Sequence, residues 1–449
     1  MSNDLRSSIS RQLGTGEKVI WLIDRVCSFK FVVHARVKGE LKESDLRMAL
    51  DAIQSRHPLL RARIALKGWA NAYFEVGETG KIPLAVVLAG PQEWINPAEA
   101  ELRSSLPWET GPLIRCILVR HAADDSTVII NFHHSIGDAM SGVYLLRDLM
   151  LALSEISETG RSSLLSLGLQ KPIEGLFPNR VKGFRGFLGN LAFTARFFSS
   201  LVRLGKPAVP KPDGWAPVKD RKIHIISRTI NPQQLDALVN SSRAHGTTVH
   251  GALAAAAMIS IARDNQAERP VPFIFGSDID LREYLSPPVA DDVGFYISGG
   301  LVFHKAGQDS DFWQLANEAR ESLKMLIARD EHLTSFTRML QIMDLNFRVF
   351  RAGELASRIY AKYMDMTNPG LIALSNIGRV EIPVRYGRFA VENFGFASSF
   401  SSSGCICIHT ATFNNSMVMD ISGMEPLLSR DHTARIADLM LDVMEKNCA

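Results

Sequence analysis

The clearest pattern in the chain is a short apolar run followed at once by apolar residues at helical spacing. Residues 128–132 are almost entirely β-branched or apolar, as expected for a central strand covered on both faces. Apolar residues then recur every three or four positions over 140–150, which predicts a helix. The intervening residues 133–139, His-His-Ser-Ile-Gly-Asp-Ala, therefore lie at a strand end, with Asp138 at the N-cap position of the helix.

The alternation of strand and helix is repeated on a larger scale. A strand-like run over 29–37 precedes a helical pattern over 44–55, and a second strand over 222–230 precedes a helical pattern over 232–244. Two similar openings predict two lobes of like fold. This mixture of strands and helices indicates the α/β (α+β) fold class.

A proline-rich segment separates these two strand–helix units. Six prolines fall within 171–220, and we predict that this stretch is a linker outside the regular core. With 449 residues the chain is long enough for two domains of about 200 residues each. We therefore divide it into an N-terminal lobe (1–170), a linker (171–221) and a C-terminal lobe (222–449).

The pattern in the second lobe predicts several further elements. A hairpin is expected where two strands flank the turn-forming pair Asn414-Asn415, and Ser429 is expected to cap the last helix, which runs to about Lys446. The other predictions are strands over 273–277, 295–303 and 389–396, hairpin strands over 405–413 and 417–421, and helices over 251–262, 311–329 and 354–363.

Composition narrows the class of protein. The formal net charge of +3 argues against a dedicated nucleic-acid binder. The five cysteines form neither a disulfide framework nor a zinc-binding spacing, and their odd number favours a reducing compartment; they are Cys27, Cys116, Cys405, Cys407 and Cys448. The N-terminus has no signal-peptide pattern and no apolar run reaches about 18 residues, so we expect a cytoplasmic location.

One segment of the linker has an unusual composition. Residues 180–206 combine six basic residues with several phenylalanines and contain no acid. Such a basic amphipathic helix can lie on an anionic membrane surface, which would make the protein a peripheral membrane protein. Its apolar face can equally pack on a lobe as a lid over a lipid substrate, and this is the interpretation we favour.

Three interpretations of the His133-His134 pair compete. The pair can be structural, as most such pairs are. A metal site is disfavoured because adjacent histidines on an extended segment point to opposite faces, and no Cys pair or His-Glu-x-x-His pattern supplies further ligands. In the third interpretation one imidazole is a general base, since an ordinary pKa of about 6.5 lets it accept a proton at neutral pH.

The motif resembles that of a known superfamily. His133-His134-x-x-x-Asp138-Ala139 is similar to the HHxxxDG motif of chloramphenicol-acetyltransferase-like proteins, which include nonribosomal-peptide condensation domains, plant BAHD acyltransferases, wax-ester synthases and mycobacterial polyketide-associated acyltransferases. The chain departs from the motif at Ala139, where the family has glycine. Further segments with counterparts in the family are Val37–Leu41, Arg56-His57-Pro58-Leu59-Leu60-Arg61, 111–115, 247–253, Asp280-Leu281-Arg282, 292–294 and 375–378.

The resemblance implies roles for individual residues. It implies two lobes, each a mixed β-sheet flanked by helices, with a tunnel between them. Family members hold the second histidine, here His134, in this tunnel, where it removes a proton from the acceptor. Asp138 is expected to pair with Arg282, and His133 and Gly137 to support the loop. Asn376 is expected either to donate to the substrate or oxyanion or to stabilise its own turn.

The resemblance also implies the reactants. The acyl donor would be an acyl thioester of coenzyme A or of the phosphopantetheine on an acyl or peptidyl carrier protein. The enzyme would hold no cofactor and no metal. We favour an alcohol acceptor and ester formation by a monomeric enzyme. The alternatives are a free-standing condensation enzyme that forms an amide from an amine, and a scaffold protein that has kept the fold.

Overall fold

A computed structural model describes residues 9–25, 28–67, 71–77, 79–333, 371–399 and 406–448. In chain order its helices are α1 (Thr15–Asp24), α2 (Glu43–Arg56), α3 (Ile95–Arg103), α4 (Ala139–Thr159), α5 (Gly183–Leu204), α6 (Pro232–Ala244), α7 (Val249–Asp264), α8 (Phe312–Ala328) and α9 (Arg430–Cys448). Its strands are β1 (Ile9–Gln12), β2 (Lys30–Lys38), β3 (Ala62–Lys67), β4 (Asn71–Val76), β5 (Leu84–Leu88), β6 (Ile114–Ala122), β7 (Asp125–His133), β8 (Lys222–Ile230), β9 (Val271–Asp280), β10 (Ile297–Ala306), β11 (Leu371–Arg379), β12 (Arg385–Tyr386), β13 (Phe389–Val391), β14 (Gly395–Ser398), β15 (Cys407–Phe413) and β16 (Ser416–Glu425).

Within the described ranges the strands form two large sheets and one small one. The first sheet has the order β12-β13-β2-β7-β6-β5, and β14 also pairs with β2. The second has the order β10-β9-β11-β15-β16-β8, in which β9, β11 and β15 run parallel. The small sheet is β1-β4-β3. The predicted mixed α/β class with helices around two sheets is confirmed.

The first sheet is completed by residues far along the chain. β13 pairs with β2 at Val391 and Val37, and β14 pairs with it from Gly395 to Ser398. The prediction of strands over 389–396 is confirmed, but these strands lie in the first sheet. Part of the predicted C-terminal lobe (222–449) thus crosses back and pairs with β2 of the predicted N-terminal lobe.

The linker contains more regular structure than its prolines suggested. α5 occupies most of the basic segment, and Ile173 and Leu176, the first and last residues of a short 3₁₀ turn, are buried in the core of the second lobe. The expectation that the stretch lies wholly outside the core is therefore wrong. Prolines restrict the backbone but leave neighbouring apolar side chains free to pack.

Most other predicted elements are present with shifted ends. The strand predicted over 295–303 is β10, which begins at Ile297. Asn414 and Asn415 both have positive φ in the hairpin turn, and Ser429 Oγ accepts from the backbone of His432 at 3.2 Å. The helix predicted over 354–363, Cys27 and Cys405 lie outside the described residues.

The segment Arg56-His57 that precedes Pro58 ties α2 to α4. Asp148 Oδ2 accepts hydrogen bonds from Arg56 Nε at 2.7 Å and from His57 Nε2 at 2.9 Å. Asp148 is buried in the middle of α4. This contact fixes the helix whose N-terminus follows the two histidines. Among the helices that the structure describes, none is long and apolar enough to cross a bilayer.

Candidate active site

The two histidines lie at the end of the most buried strand of the first sheet. β7 pairs with β2 on one side and β6 on the other, and every residue of β7 is buried. The loop from His134 to Asp138 then leads into α4. A strand covered on both faces gives the loop a rigid base.

The ring of His134 is oriented by the loop itself. Its Nδ1 lies 2.8 Å from the carbonyl oxygen of Gly137. A carbonyl only accepts hydrogen bonds, so Nδ1 carries the proton and Nε2 presents a lone pair. Among the described residues Nε2 has no hydrogen-bond partner, and His134 is 8% exposed to solvent. The arrangement leaves one accessible basic nitrogen.

The surroundings of His134 are aromatic. The ring centroids of Phe29, Phe31 and Phe295 lie 5.2, 5.5 and 5.8 Å from that of His134. Burial lowers the pKa of His134, and the hydrogen bond to Gly137 and the charge of Asp138 only partly offset this effect. The imidazole is therefore neutral at pH 7 and able to accept a proton.

His133 points elsewhere and has different partners. Its Nδ1 accepts from the backbone of Ser135 at 3.1 Å, so its Nε2 carries the proton and lies 3.5 Å from Asp24 Oδ2. Burial lowers the pKa of His133 to about 4. Nε2 is buried and makes no hydrogen bond among the described residues, and the side chain is 1% exposed, so neither nitrogen is open to a substrate. This geometry suits a residue that holds the turn.

Gly137 is enclosed by its neighbours. A Cβ atom on Gly137 would lie 2.6 Å from the ring of Phe132 and 3.2 Å from Ser141. A larger residue would displace the carbonyl that orients His134. Ala139, the departure from the family motif, occupies the first turn of α4 with 5% exposure.

Asp138 and Arg282 form a buried pair, as the resemblance implied. Arg282 Nη2 donates to Asp138 Oδ1 at 2.9 Å and Nη1 to Oδ2 at 3.0 Å. Asp138 caps α4, because its Oδ1 accepts from the backbone N–H of Ser141 at 2.8 Å, and its Oδ2 accepts from the backbone N–H of Tyr296 at 2.9 Å. Arg282 also contacts Asp280 Oδ1 at 3.0 Å. The pair thus joins the loop of the first lobe to the segment between β9 and β10 of the second.

The ionisation of this pair follows from its contacts. Burial opposes the charge on Asp138, but the charge of Arg282 and the hydrogen bonds from Arg282, Ser141 and Tyr296 more than offset it, and the pKa of Asp138 is lowered. Capping by Asp138 was predictable from its position. The contributions of Ser141 and Tyr296 were not, because they depend on tertiary contacts.

Asn376 stabilises its own turn. Its Oδ1 accepts from the backbone of Gly378 at 2.9 Å, and Gly378 has a φ of 69°. Of the two roles left open for this residue, the turn contact is present.

Asp278 on β9 is a polar residue that the sequence did not single out. The side chain is exposed to solvent, yet desolvation by surrounding protein raises its pKa to about 6, against a hydrogen bond from Ser375 that favours the charged form. Opposite Asp278 on β10 stands Gly299, which has no side chain to cover it.

The described residues contain no group of three or more His, Cys, Asp and Glu placed to hold a metal ion. The buried polar contacts around His134 are instead made by backbone groups and the Asp138–Arg282 pair.

Two family models match adjoining parts of the chain. Residues 26–166 match the condensation domain, and residues 223–428 match the C-terminus of phthiocerol/phthiodiolone dimycocerosyl transferase. The phthiocerol/phthiodiolone dimycocerosyl transferase of Mycobacterium leprae is 22% identical over 335 residues, which are 72% of this chain and 74% of that protein. A linear gramicidin synthase protein of Brevibacillus parabrevis is 27% identical over 158 residues, 33% of this chain and 3% of that protein.

Solved structures share the fold over nearly the full length. Polyketide synthase associated protein 5 from Mycobacterium tuberculosis superposes with a TM-score of 0.69 at 16% identity and covers 97% of this chain and 98% of its own. The trichothecene 15-O-acetyltransferase from Fusarium sporotrichioides gives a TM-score of 0.75 at 12% identity, over 97% and 95%. The motif, the fold and both family matches agree with one another, and together they confirm the resemblance of this chain to the chloramphenicol-acetyltransferase-like condensation domains and polyketide-associated acyltransferases.

Proposed function

We propose that the chain transfers an acyl group from a thioester to an alcohol, with His134 as the general base. The relatives support acyl transfer in lipid or polyketide metabolism as the class of activity. The observation that carries the finer proposal is the orientation of His134, whose Nδ1 is held by Gly137 while Nε2 stays accessible and unprotonated.

The chemistry follows from this orientation. Nε2 takes the proton of the acceptor hydroxyl as its oxygen attacks the thioester carbonyl. The carbon–sulfur bond then breaks, and the imidazolium returns the proton to the departing thiolate of coenzyme A or of a carrier protein's phosphopantetheine. General-base catalysis of this kind contributes about 10²–10⁴-fold. Asp138, Arg282, His133 and Gly137 act by holding the loop.

Amide formation is the second candidate. The match of residues 26–166 to a condensation domain favours it, because the resemblance to nonribosomal-peptide condensation enzymes implies an amine acceptor. The same base serves either acceptor, so the acceptor must be decided by experiment.

Product analysis by mass spectrometry tests both candidates. The protein is incubated with acyl-coenzyme A or an acyl-loaded carrier protein and a pool of alcohols and amines. We expect an ester that disappears with His134→Ala but persists with His245→Ala, a change to an exposed histidine stacked on Trp313. An amide alone would select the second candidate, and no acyl transfer to any acceptor would leave the scaffold interpretation.

A further inference from the structure

The helix α5 contacts the molecule along one side. The ring of Phe197 lies 5.5 Å from that of Phe303 on β10, and Phe193 lies 6.0 Å from Phe197. Arg196 pairs with Glu331 beyond the end of α8. This side agrees with the packing expected of a lid, although the lid role itself stays a prediction.

A second apolar stripe runs along the outward side of α5. Its residues recur after four, three and eleven positions, so they share one face of the helix. They are Phe184, Leu188, Leu191 and Val202, with exposures of 74%, 48%, 59% and 85%. None of the other described helices carries more than one large apolar side chain with comparable exposure. The stripe is therefore a local feature of this helix.

The charged residues within the segment itself all have the same sign, although Arg180 and Arg196 pair with Asp330 and Glu331 in a neighbouring part of the chain. Residues 180–206 contain six basic residues and no acid, and Lys182, Arg203 and Lys206 at the two ends of the helix are exposed. An apolar stripe flanked by cations fits a surface with apolar depth and negative headgroups. A second protein would have to provide both an apolar groove and a surplus of acids.

We propose that the outward face of α5, defined by Phe184, Leu188, Leu191 and Val202, docks on an anionic lipid bilayer. The helix would lie in the plane of the interface with its inner side still packed on Phe303. β10 begins two residues after Phe295, which contacts His134, so docking would bring the lipid surface to the lobe that borders the site. The docking does not depend on the proposed reaction.

Co-sedimentation with vesicles tests this proposal. The full-length protein is mixed with vesicles of phosphatidylcholine and phosphatidylglycerol at a ratio of about 7:3, and with phosphatidylcholine alone. We expect binding to the anionic vesicles that falls at least tenfold in 0.5 M salt, because salt screens exposed charges. The variant Leu188→Ser/Leu191→Ser should lose binding at least tenfold. The matched control Leu66→Ser/Leu88→Ser changes two exposed leucines elsewhere and should bind as the parent does.

Three results would overturn the proposal. The parent protein could stay in the supernatant with anionic vesicles, the Leu188→Ser/Leu191→Ser variant could sediment as the parent does, or the parent could bind neutral and anionic vesicles equally. Size-exclusion chromatography without lipid provides a further check. A parent dimer that the stripe variant converts to a monomer would assign the face to a second copy of the chain.

Discussion

At the scale of single residues, the site depends on which atoms are left unpaired. His133 and His134 are neighbours, but neither nitrogen of His133 is open to a substrate, whereas His134 keeps Nε2 accessible. The sequence alone left the two equivalent, because tautomer and ring orientation depend on the loop. The choice of His134 came from the resemblance, and the hydrogen bond from its Nδ1 to Gly137 now gives that choice a physical reason.

Asp278 provides a test by pH. Its folded pKa of about 6 lies above the ordinary value of 3.8, so the native state favours the protonated form. The contribution of Asp278 to the stability of the fold is fully present below pH 4 and is lost as the pH rises through 6. We expect Asp278→Asn to raise the melting temperature relative to the parent at pH 8 and to leave it unchanged at pH 4. Equal melting temperatures at both pH values would show that the carboxyl group is not desolvated.

The Asp138–Arg282 pair should behave as one unit. Removing one partner of a buried pair costs about 3–5 kcal/mol. We expect Arg282→Met to be more destabilising than Asp138→Asn. In Asp138→Asn, Arg282 still has the carboxylate of Asp280 as a charged partner. In Arg282→Met, the buried Asp138 carboxylate has only neutral hydrogen-bond donors among the described contacts. Asparagine also preserves the N-cap. Chemical denaturation of both single variants and the double variant measures the coupling, and strictly additive losses would show that the two residues do not interact.

At the scale of elements, α4 packs unusually close to β2. A Cβ on Gly142 would lie 2.2 Å from Cγ1 of Val33, which is buried. Alanine in place of a mid-helix glycine ordinarily stabilises by about 1 kcal/mol. Overpacking costs about 1–3 kcal/mol, so we expect Gly142→Ala to be net destabilising. Adding Val33→Ala should restore part of the stability lost in Gly142→Ala. Thermal unfolding of the two single variants and the double variant measures this. A Gly142→Ala variant more stable than the parent would contradict the expected overpacking.

Periodicity predicted the elements better than their partners. The strands β7 and β8 and the helices α2, α4, α6 and α7 follow from local patterns of apolar residues. The pairing of β14 with β2 could not be predicted, because it joins segments more than 350 residues apart and nothing in an apolar strand specifies its neighbour. Likewise the contact of Tyr296 with Asp138 uses a backbone amide that any residue would supply.

At the scale of the whole molecule, the two lobes share structure. β13 and β14 complete the first sheet from the second half of the chain, and His34 on β2 lies 2.7 Å from Asp420 on β16, both buried. A cluster that includes Val32, Ala397 and Met424 packs across the same boundary. Neither lobe would keep its core closed if the other unfolded.

Cooperative unfolding follows from this sharing. We expect differential scanning calorimetry of the full chain to give one transition, and His34→Ala to move the whole transition to lower temperature. Two separable transitions in the parent would contradict the account, since they would mean that one sheet survives the loss of the other.

The central claim is that Nε2 of His134 removes the acceptor proton, and the pH dependence of single-turnover acyl transfer tests it most directly. Because burial lowers the pKa of His134 below 6.5, the rate of the parent at saturating acceptor should rise with pH up to that pKa and then stay level. His134→Ala should be about 10²–10⁴-fold slower at pH 7 and should lack the acidic limb, while keeping the melting temperature of the parent. A His134→Ala variant that transfers acyl groups at the parent rate, with the same pH profile, would contradict the account.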